Sequence, residues 1–401
     1  MKGEGIFSVM DKLDLTTLEI FQSRMDNRFL MKGMKEWDDG LEFRHYGKNF
    51  SYVDMLTENY KAVGTEELVA GFREMGLGDY LDRVKQLLSE GRHEGIEFFY
   101  HRKKDIRVSF CKHSVTLGLE NRQHVMRAGA MRRHEPDEPE IEVIVDGLNL
   151  SRAMTYKNAV SALPYGGCKT VVQCAPVKLD DYETMGFLSY VPDRCRVFVG
   201  ADMGLDEEMV DVIRSTFTRN FVGGTKSPLA STGTPTAYGE FLAIKEACDI
   251  TFDTRDLSGR TIAIQGLGHV GFPLAEYLLD DGAGLIVTDI DRDKVGALQQ
   301  RYGTDLVRYV SPDAEIELAK KVAEAGILFV VDWAHNNGGV IAASVLWQLQ
   351  EEATEEQLNP KIELPCRTNF RRLLEEAMEK GTTPTELVYE KVEKMVYSSD
   401  R

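Results

Sequence analysis

Thr261-Ile-Ala-Ile-Gln-Gly-Leu-Gly-His-Val-Gly271 is an apolar, β-branched run that passes straight into three glycines spaced G-x-G-x-x-G. The run predicts a strand, and the glycines predict the turn that carries it into a helix. Gly266 permits the tight turn, Gly268 lets the backbone approach a pyrophosphate, and Gly271 lets the helix pack on the strand. Leu267, His269 and Val270 complete the turn, and the helix N-terminus offers unpaired N–H groups and a positive dipole to phosphates. An acidic residue is expected at the end of the next strand, about 20 residues on. Asp289, in Ile286-Val-Thr-Asp289, lies 23 residues after Gly266. Its carboxylate can accept both ribose hydroxyls and repels an extra phosphate, which points to NAD rather than NADP. A Rossmann-like domain without its nucleotide is the alternative. Asp291 and Asp293 read as solvated turn residues.

Outward from this motif the rhythm is β-α-β, with a second strand at Leu285–Thr288. Upstream, a Pro/Gly/Ser/Thr-rich passage over 222–235 has the composition of a hinge or binding loop, and a helix follows from Thr236 to Ala247. Thr170–Cys174 and Arg196–Val199 read as strands, Leu148–Ala162 as a helix, and 135–142 as an acidic loop. Ile96–Tyr100 and Ile106–Phe110 alternate as sheet strands do. Leu15–Leu30 and Tyr52–Glu90 have the three-and-four spacing of helices. Downstream, Tyr302–Glu315 passes into a helix at Ile316–Glu324, a strand at Ile327–Asp332 and a loop at His335–Gly339. Two amphipathic helices, joined at Lys380-Gly-Thr-Thr-Pro384, close the chain over 364–398.

A chain of 401 residues suggests two domains at about 100–200 residues each. The net charge of -17 repels phosphate backbones and anionic membranes, so neither nucleic acid nor a membrane surface is an expected partner. The six cysteines show no CxxC spacing and read as reduced thiols of a cytoplasmic protein. No stretch approaches the roughly 18 apolar residues of a membrane span, and Met1–Phe7 lacks a signal peptide's apolar core. The eight histidines form no HxH or HExxH pair, so no metal site is expected.

Two lysines stand 12 apart, in Met154-Thr-Tyr-Lys-Asn158 and Leu163-Pro-Tyr-Gly-Gly-Cys-Lys169. A lone lysine is usually a solvated surface charge. Here both have apolar neighbours, and the Gly-Gly reads as a turn that admits a substrate. Two close ammonium groups in a partly dry cleft depress each other's pKa, so that one can serve as a base. In Val199-Gly-Ala-Asp-Met-Gly204, Asp202 ends a strand between small residues, as a turn former or as a catalytic carboxylate.

Together these segments resemble the glutamate/leucine/phenylalanine/valine dehydrogenase family, most closely its leucine branch. The family's L-x-x-G-G-x-K is similar to Leu163–Lys169, and its M-T-Y-K-N stands here intact. Its E-D-V-G resembles Ala201-Asp-Met-Gly204, and its T-A-Y-G resembles Thr236-Ala-Tyr-Gly239. Its V-Q-G-x-G-N-V resembles Ile264–Val270, and its I-N-A-G-G-V-I resembles His335–Ile341. The resemblance implies reversible, NAD-dependent oxidative deamination of an L-2-amino acid. In it Lys157 holds the substrate carboxylate, Lys169 acts as general base on the attacking water, and Asp202 moves protons at the amino group. Thr236 and Asn336 lie on the nicotinamide side. Arg127-Ala-Gly-Ala-Met-Arg132 resembles the family's L-G-G-T-R loop over the substrate, so Gly129 becomes a substrate contact. Ala128 and Val340 would face the substrate side chain, and both favour an apolar or aromatic one.

The implied architecture is α/β, an α/β substrate domain and a truncated Rossmann NAD-binding domain separated by a cleft. Residues 1–235 and 362–401 form the substrate-binding and oligomerisation domain, with a helical insertion over about 30–95, and 236–361 form the Rossmann domain. A homo-oligomer acting on a small molecule is expected. The sequence departs from the family in that insertion, in Cys168 before the lysine, and in lacking the A-P-C-A and G-S-A-N-N-Q segments that line the nicotinamide ribose. Those losses keep two rivals open: a weak or inactive homologue with a binding role, and a reductase of another imine or keto acid.

Overall fold

The computed structural model describes residues 5–23, 26, 28–114, 126–229, 231–309 and 330–397. Its strands are β1 (Thr17–Gln22), β2 (Phe29–Lys35), β3 (Lys61–Val63), β4 (Gly95–His101), β5 (Ile106–Lys112), β6 (Arg127–His134), β7 (Gly166–Gln173), β8 (Val197–Ala201), β9 (Phe221–Val222), β10 (Thr261–Gln265), β11 (Gly284–Thr288) and β12 (Val307–Tyr309). Its helices are α1 (Ile6–Lys12), α2 (Thr65–Glu74), α3 (Gly78–Glu90), α4 (Glu140–Val160), α5 (Tyr182–Cys195), α6 (Glu207–Thr216), α7 (Gly233–Phe252), α8 (Gly271–Asp280), α9 (Arg292–Tyr302), α10 (Gly338–Leu349), α11 (Glu355–Glu363), α12 (Phe370–Lys380) and α13 (Pro384–Tyr397).

Two sheets organise the α/β molecule. The larger has nine strands in the order β3-β2-β1-β4-β5-β7-β6-β8-β9, and the smaller is β10-β11-β12. In the larger sheet β6 pairs parallel with β7 and β8, while β5 meets β7 antiparallel. Helix α4 lies on one face of β7 and α5 on the other side of the sheet. There Phe187, Leu188 and Val191 join Cys168, Val172, Met131 and Val199 in one apolar core. The opposite face carries Ala128 and Phe198 into a cluster with Val340, Ile341 and Leu346 of α10. The smaller sheet is parallel throughout, with α8 and α9 as its crossovers, which is the first β-α-β-α-β half of a dinucleotide fold.

Four expectations are corrected. Leu15–Leu30 is not a helix but contains β1 and the start of β2. Leu15, Leu18 and Phe21 have helical spacing, yet Thr16, Thr17 and Ile20 are β-branched. Adjacent Thr17 and Leu18 are both buried, so the strand is covered on both faces and shows no alternation. The insertion is only half helical: α2 and α3 are present, but Tyr52–Met55 is a short 3-10 turn and β2 and β3 extend the sheet edge. The acidic stretch ends in helix, because Glu140 opens α4; its buried carboxylate accepts from Ile6 N at 2.7 Å and from the Tyr80 hydroxyl at 2.7 Å. Finally, Arg127–Arg132 is no loop over a substrate. It is most of β6, held between β7 and β8, and Gly129 serves packing: a Cβ there would lie 2.1 Å from the Cys168 carbonyl oxygen. The helix expected at 316–324 and residues 327–329 of the expected strand lie outside the described residues. The rest of that strand runs into a 3-10 turn at Asp332–Ala334, and the family's I-N-A-G-G segment leads into α10.

Candidate active site

Side chains alternate across a strand, and this places the site. On β7, Gly167, Lys169 and Val171 share one face. In register with them on β6 stand Ala128, Ala130 and Arg132. Gly129 pairs with Cys168 and so points to the other face, into the α5 core. Gly166 and Gly167 are strand residues rather than a turn. The missing side chain of Gly167 admits helix α4 rather than a substrate, since a Cβ there would fall 2.2 Å from Thr155 N. The Gly167 N–H donates to Thr155 Oγ1 at 3.0 Å, and buried Asn158 donates to the Gly166 carbonyl at 3.1 Å. Helix and strand are thereby locked, and with them Lys157 and Lys169.

Lys169 is 3% exposed and donates from its ammonium to Asp202 Oδ2. Asp202 is held just past β8, where its N–H donates to the Met131 carbonyl at 3.0 Å. The same Oδ2 accepts from Arg132 Nε at 3.0 Å. Burial is the largest influence on Lys169 and takes its ammonium below the ordinary lysine range, against the pull of Asp202. Burial works to raise Asp202, but Lys169 and Arg132 outweigh it and hold the carboxyl at about 2.

Lys157 differs. It is partly buried, and among the described residues its ammonium has no hydrogen-bond or ion-pair partner. Desolvation lowers its pKa; the charges of Asp332 and Glu240 oppose this, and Lys169 reinforces it. The structure therefore brings both lysines into one electrostatic neighbourhood. Glu240 itself pairs with His335 at 2.7 Å. Burial lowers the imidazole's pKa, but Glu240 outweighs it and the net shift is upward. Ala128 and Val340 meet in one buried apolar cluster.

The second half of the site is the glycine turn. Gly266 takes φ +82°, open to glycine alone at little cost, and Gly271 lies so close to the Gly266 carbonyl that a Cβ would fall 1.9 Å from its oxygen. Asp289 Oδ2 accepts from Leu267 N and Oδ1 from Asp291 N, the latter at 2.7 Å, so the carboxylate sits beside the turn. Val270 precedes the first turn of α8. Leu267, Gly268 and His269 line a cavity of about 780 Å³ whose far wall includes Glu207 and Thr234. Thr236, in the first turn of α7, bonds the Thr232 carbonyl at 2.9 Å and abuts Gly339. Asn336 donates to Asp332 at 3.3 Å, and its buried Oδ1 has no partner among the described residues. The residues present thus fit a dinucleotide: a glycine cradle, an adjacent carboxylate and an orphaned amide oxygen.

The sequence does not single out Asp146, and Ala130 and Arg132 enter there only as part of the segment that resembles the family's substrate loop. Had 127–134 been read as a strand, alternation would have put Ala130 and Arg132 on one face; that this is the face of Lys169 follows only from the register with β7. Among the described residues no group of three His, Cys, Asp or Glu is placed to hold a metal, and no helix is long and apolar enough to cross a membrane.

Residues 125–219 match the family described as Glu/Leu/Phe/Val dehydrogenase, dimerisation domain. The chain is 34% identical over 227 residues to leucine dehydrogenase of Bacillus subtilis, covering 55% of this chain and 58% of that one, so it spans less than two thirds of that relative. It is 31% identical over 299 residues to leucine dehydrogenase of Thermoactinomyces intermedius, covering 72% of this chain and 75% of that one. The fold is similar to that of L-tryptophan dehydrogenase from Nostoc punctiforme, with a TM-score of 0.56 at 23% identity over 79% of this chain and 99% of that one.

Proposed function

This chain belongs to the Glu/Leu/Phe/Val dehydrogenase family, and we propose that it catalyses the reversible, NAD-dependent oxidative deamination of an L-2-amino acid with an apolar or aromatic side chain. The observation that carries the reading is the contact between buried Lys169 and Asp202 beside a Lys157 that has no partner among the described residues.

An unpaired ammonium in a partly dry cleft is costly unless an anion joins it. Lys157 therefore binds the substrate carboxylate and fixes Cα. Asp202 accepts a proton from the amino group and returns one in reverse. Lys169, its pKa brought down by burial, takes the proton of the water that attacks the imino carbon. Ala128 and Val340 supply an apolar wall, joined by Ala130, which shares the face of Lys169. A carboxylate on the substrate side chain finds no counter-charge among these three. Gly266–Gly271 and Asp289 hold pyrophosphate and adenosine ribose, and Thr236 and Asn336 orient the nicotinamide, which when bound supplies the hydride acceptor. In this reading residues 1–235 and 362–401 form the substrate and oligomer-forming domain, and 236–361 hold the cofactor. Six free cysteines suit the reducing cytoplasm.

The test is a panel of L-amino acids with NAD, followed by NADH absorbance. Turnover of an aliphatic or aromatic substrate, with glutamate inert, is expected. Absence of turnover across the panel, in protein that still binds ADP, would overturn the enzyme reading in favour of a binding homologue.

A further inference from the structure

Behind the Lys169–Asp202 pair runs a line of charges of alternating sign. Asp202 Oδ2 accepts from Arg132 Nε at 3.0 Å. A terminal nitrogen of the same guanidinium donates to both oxygens of Asp146, at 3.2 and 3.1 Å. Asp146 also faces His134 Nε2 at 3.2 Å, and His134 Nδ1 faces Glu138 at 2.8 Å. The line ties several elements together. Lys169 comes from β7, Arg132 and His134 from β6, and Asp146 from α4. Arg132 and Lys169 share one carboxylate oxygen, so the guanidinium competes with the ammonium for Asp202. Its planar fork meets two carboxylates at once in a fixed geometry, which the point charge of a lysine does not impose.

We propose that Arg132 is a positioning residue that fixes the Asp202 carboxylate and, balanced by Asp146, sets the protonation of the Lys169–Asp202 pair. The inference rests on the dehydrogenase reading for its kinetic consequence, but its electrostatic content stands apart from turnover. The signs follow from the geometry. Arg132 is a second cation beside both groups: its removal makes Asp202 easier to protonate and Lys169 harder to deprotonate. Both changes push the acid limb of activity to higher pH. Asp146 acts in the opposite sense. Without its charge Lys169 loses its proton more readily, and Arg132 is left wholly to Asp202. Among the described residues, further charges near the pair are Lys157, which repels Lys169, and His134 with Glu138, which contact it through Asp146.

The test compares Arg132→Met, Arg132→Lys and Asp146→Asn. Arg132→Met should move the acid limb of kcat/KM up by about one pH unit, the low end for loss of an opposite charge at close range. Its kcat at neutral pH should fall about tenfold, the equivalent of that unit, with little change in the KM for the amino acid. Arg132→Lys should hold the limb near its wild-type place. Asp146→Asn should move it down. Opposite shifts are what a merely structural role would not produce. If Arg132→Met fails to fold, the direction given by Asp146→Asn decides alone. If wild-type protein turns over no amino acid, trace acetylation of Lys169 against pH, read by peptide mass spectrometry, gives the same two shifts without activity. That result would sink the dehydrogenase reading and leave the present one standing. Shifts that are absent, or of one sign in both variants, in protein that melts like wild type would overturn it.

Discussion

Gly167→Ala tests whether the spacing of helix and strand governs the site. The added Cβ would lie 2.2 Å from Thr155 N and 2.4 Å from the Ser151 carbonyl oxygen, both backbone atoms of α4. Neither can swing aside as a side chain could. Ordinary contact begins near 3.4 Å, so helix and strand must part by about 1.2 Å, the difference between 3.4 and 2.2 Å. The Gly167 N–H bond to Thr155 Oγ1 is stretched or lost with it. Lys157 stands two residues beyond Thr155 on the helix, and Lys169 two beyond Gly167 on the strand, so the displacement passes into the distance between the proposed carboxylate holder and the proposed base. A misplacement of about 1 Å can cost about a hundredfold in rate, and overpacking a core costs about 1–3 kcal/mol in stability. Steady-state kcat at saturating NAD, beside a thermal melt, is the assay. We expect kcat to fall about a hundredfold and the melting point to drop. Gly268→Ala is the control, because its Cβ meets nothing within 4 Å; it should melt like wild type and lose ADP binding instead. A Gly167→Ala protein with wild-type kcat and melting point would refute the argument.

Three further outcomes are expected. Lys169→Ala should cut kcat by at least about a hundredfold, the low end for general-base catalysis, while Lys157→Ala chiefly raises the KM for the amino acid; equal, mild effects in steady-state kinetics would remove both lysines from the site. Asp289→Gly should relax discrimination against NADP, read as the ratio of kcat/KM with the two cofactors, and a wild-type preference for NADP would contradict the assignment of Asp289. Because the sequence lacks the family's A-P-C-A and G-S-A-N-N-Q segments, Thr236 and Asn336 should orient the nicotinamide while adding little affinity, and calorimetry should find ADP bound about as tightly as NAD; NAD far tighter than ADP would show that other residues replace the lost contacts.

The glycine turn was legible because each of its positions answers a separate demand. Gly266 needs positive φ, Gly271 leaves no room for a Cβ, and Asp289 falls at the end of the next strand. All three depend on local geometry, which sequence spacing records. The first hundred residues were not legible for the converse reason. The strand β1 pairs with β2 and β4, partners that lie on either side of it, and both its faces are covered. Period-2 alternation is then lost, and Leu15, Leu18 and Phe21 imitate a helix. The short strand β3 has only three residues, too few for any period, and its place at the sheet edge is set by β2 alone.

The site divides in the same way. Lys157, Lys169 and Asp202 could be named from the sequence because the family's motifs single them out. Arg132 could not, because its importance comes from register. It faces Asp202 only if Arg127–His134 is a strand running parallel to β7 with Ala130 beside Lys169. The resemblance makes this segment a loop, yet Gly129 is what a crowded central strand requires where it passes Cys168. One misread segment therefore displaced two assignments together: it put Gly129 at the substrate and kept Arg132 from the carboxylate it holds. Reading the segment as a strand exchanges them, since a shift of one residue along a strand moves a side chain to the other face. That exchange makes Ala130, not Gly129, the residue whose enlargement should narrow the range of side chains accepted. Ala130→Val should lower kcat/KM for aromatic substrates more than for small aliphatic ones, while Gly129→Ala should cost stability without changing that preference. A shift in preference from Gly129→Ala, and none from Ala130→Val, would put the substrate on the other face of the sheet.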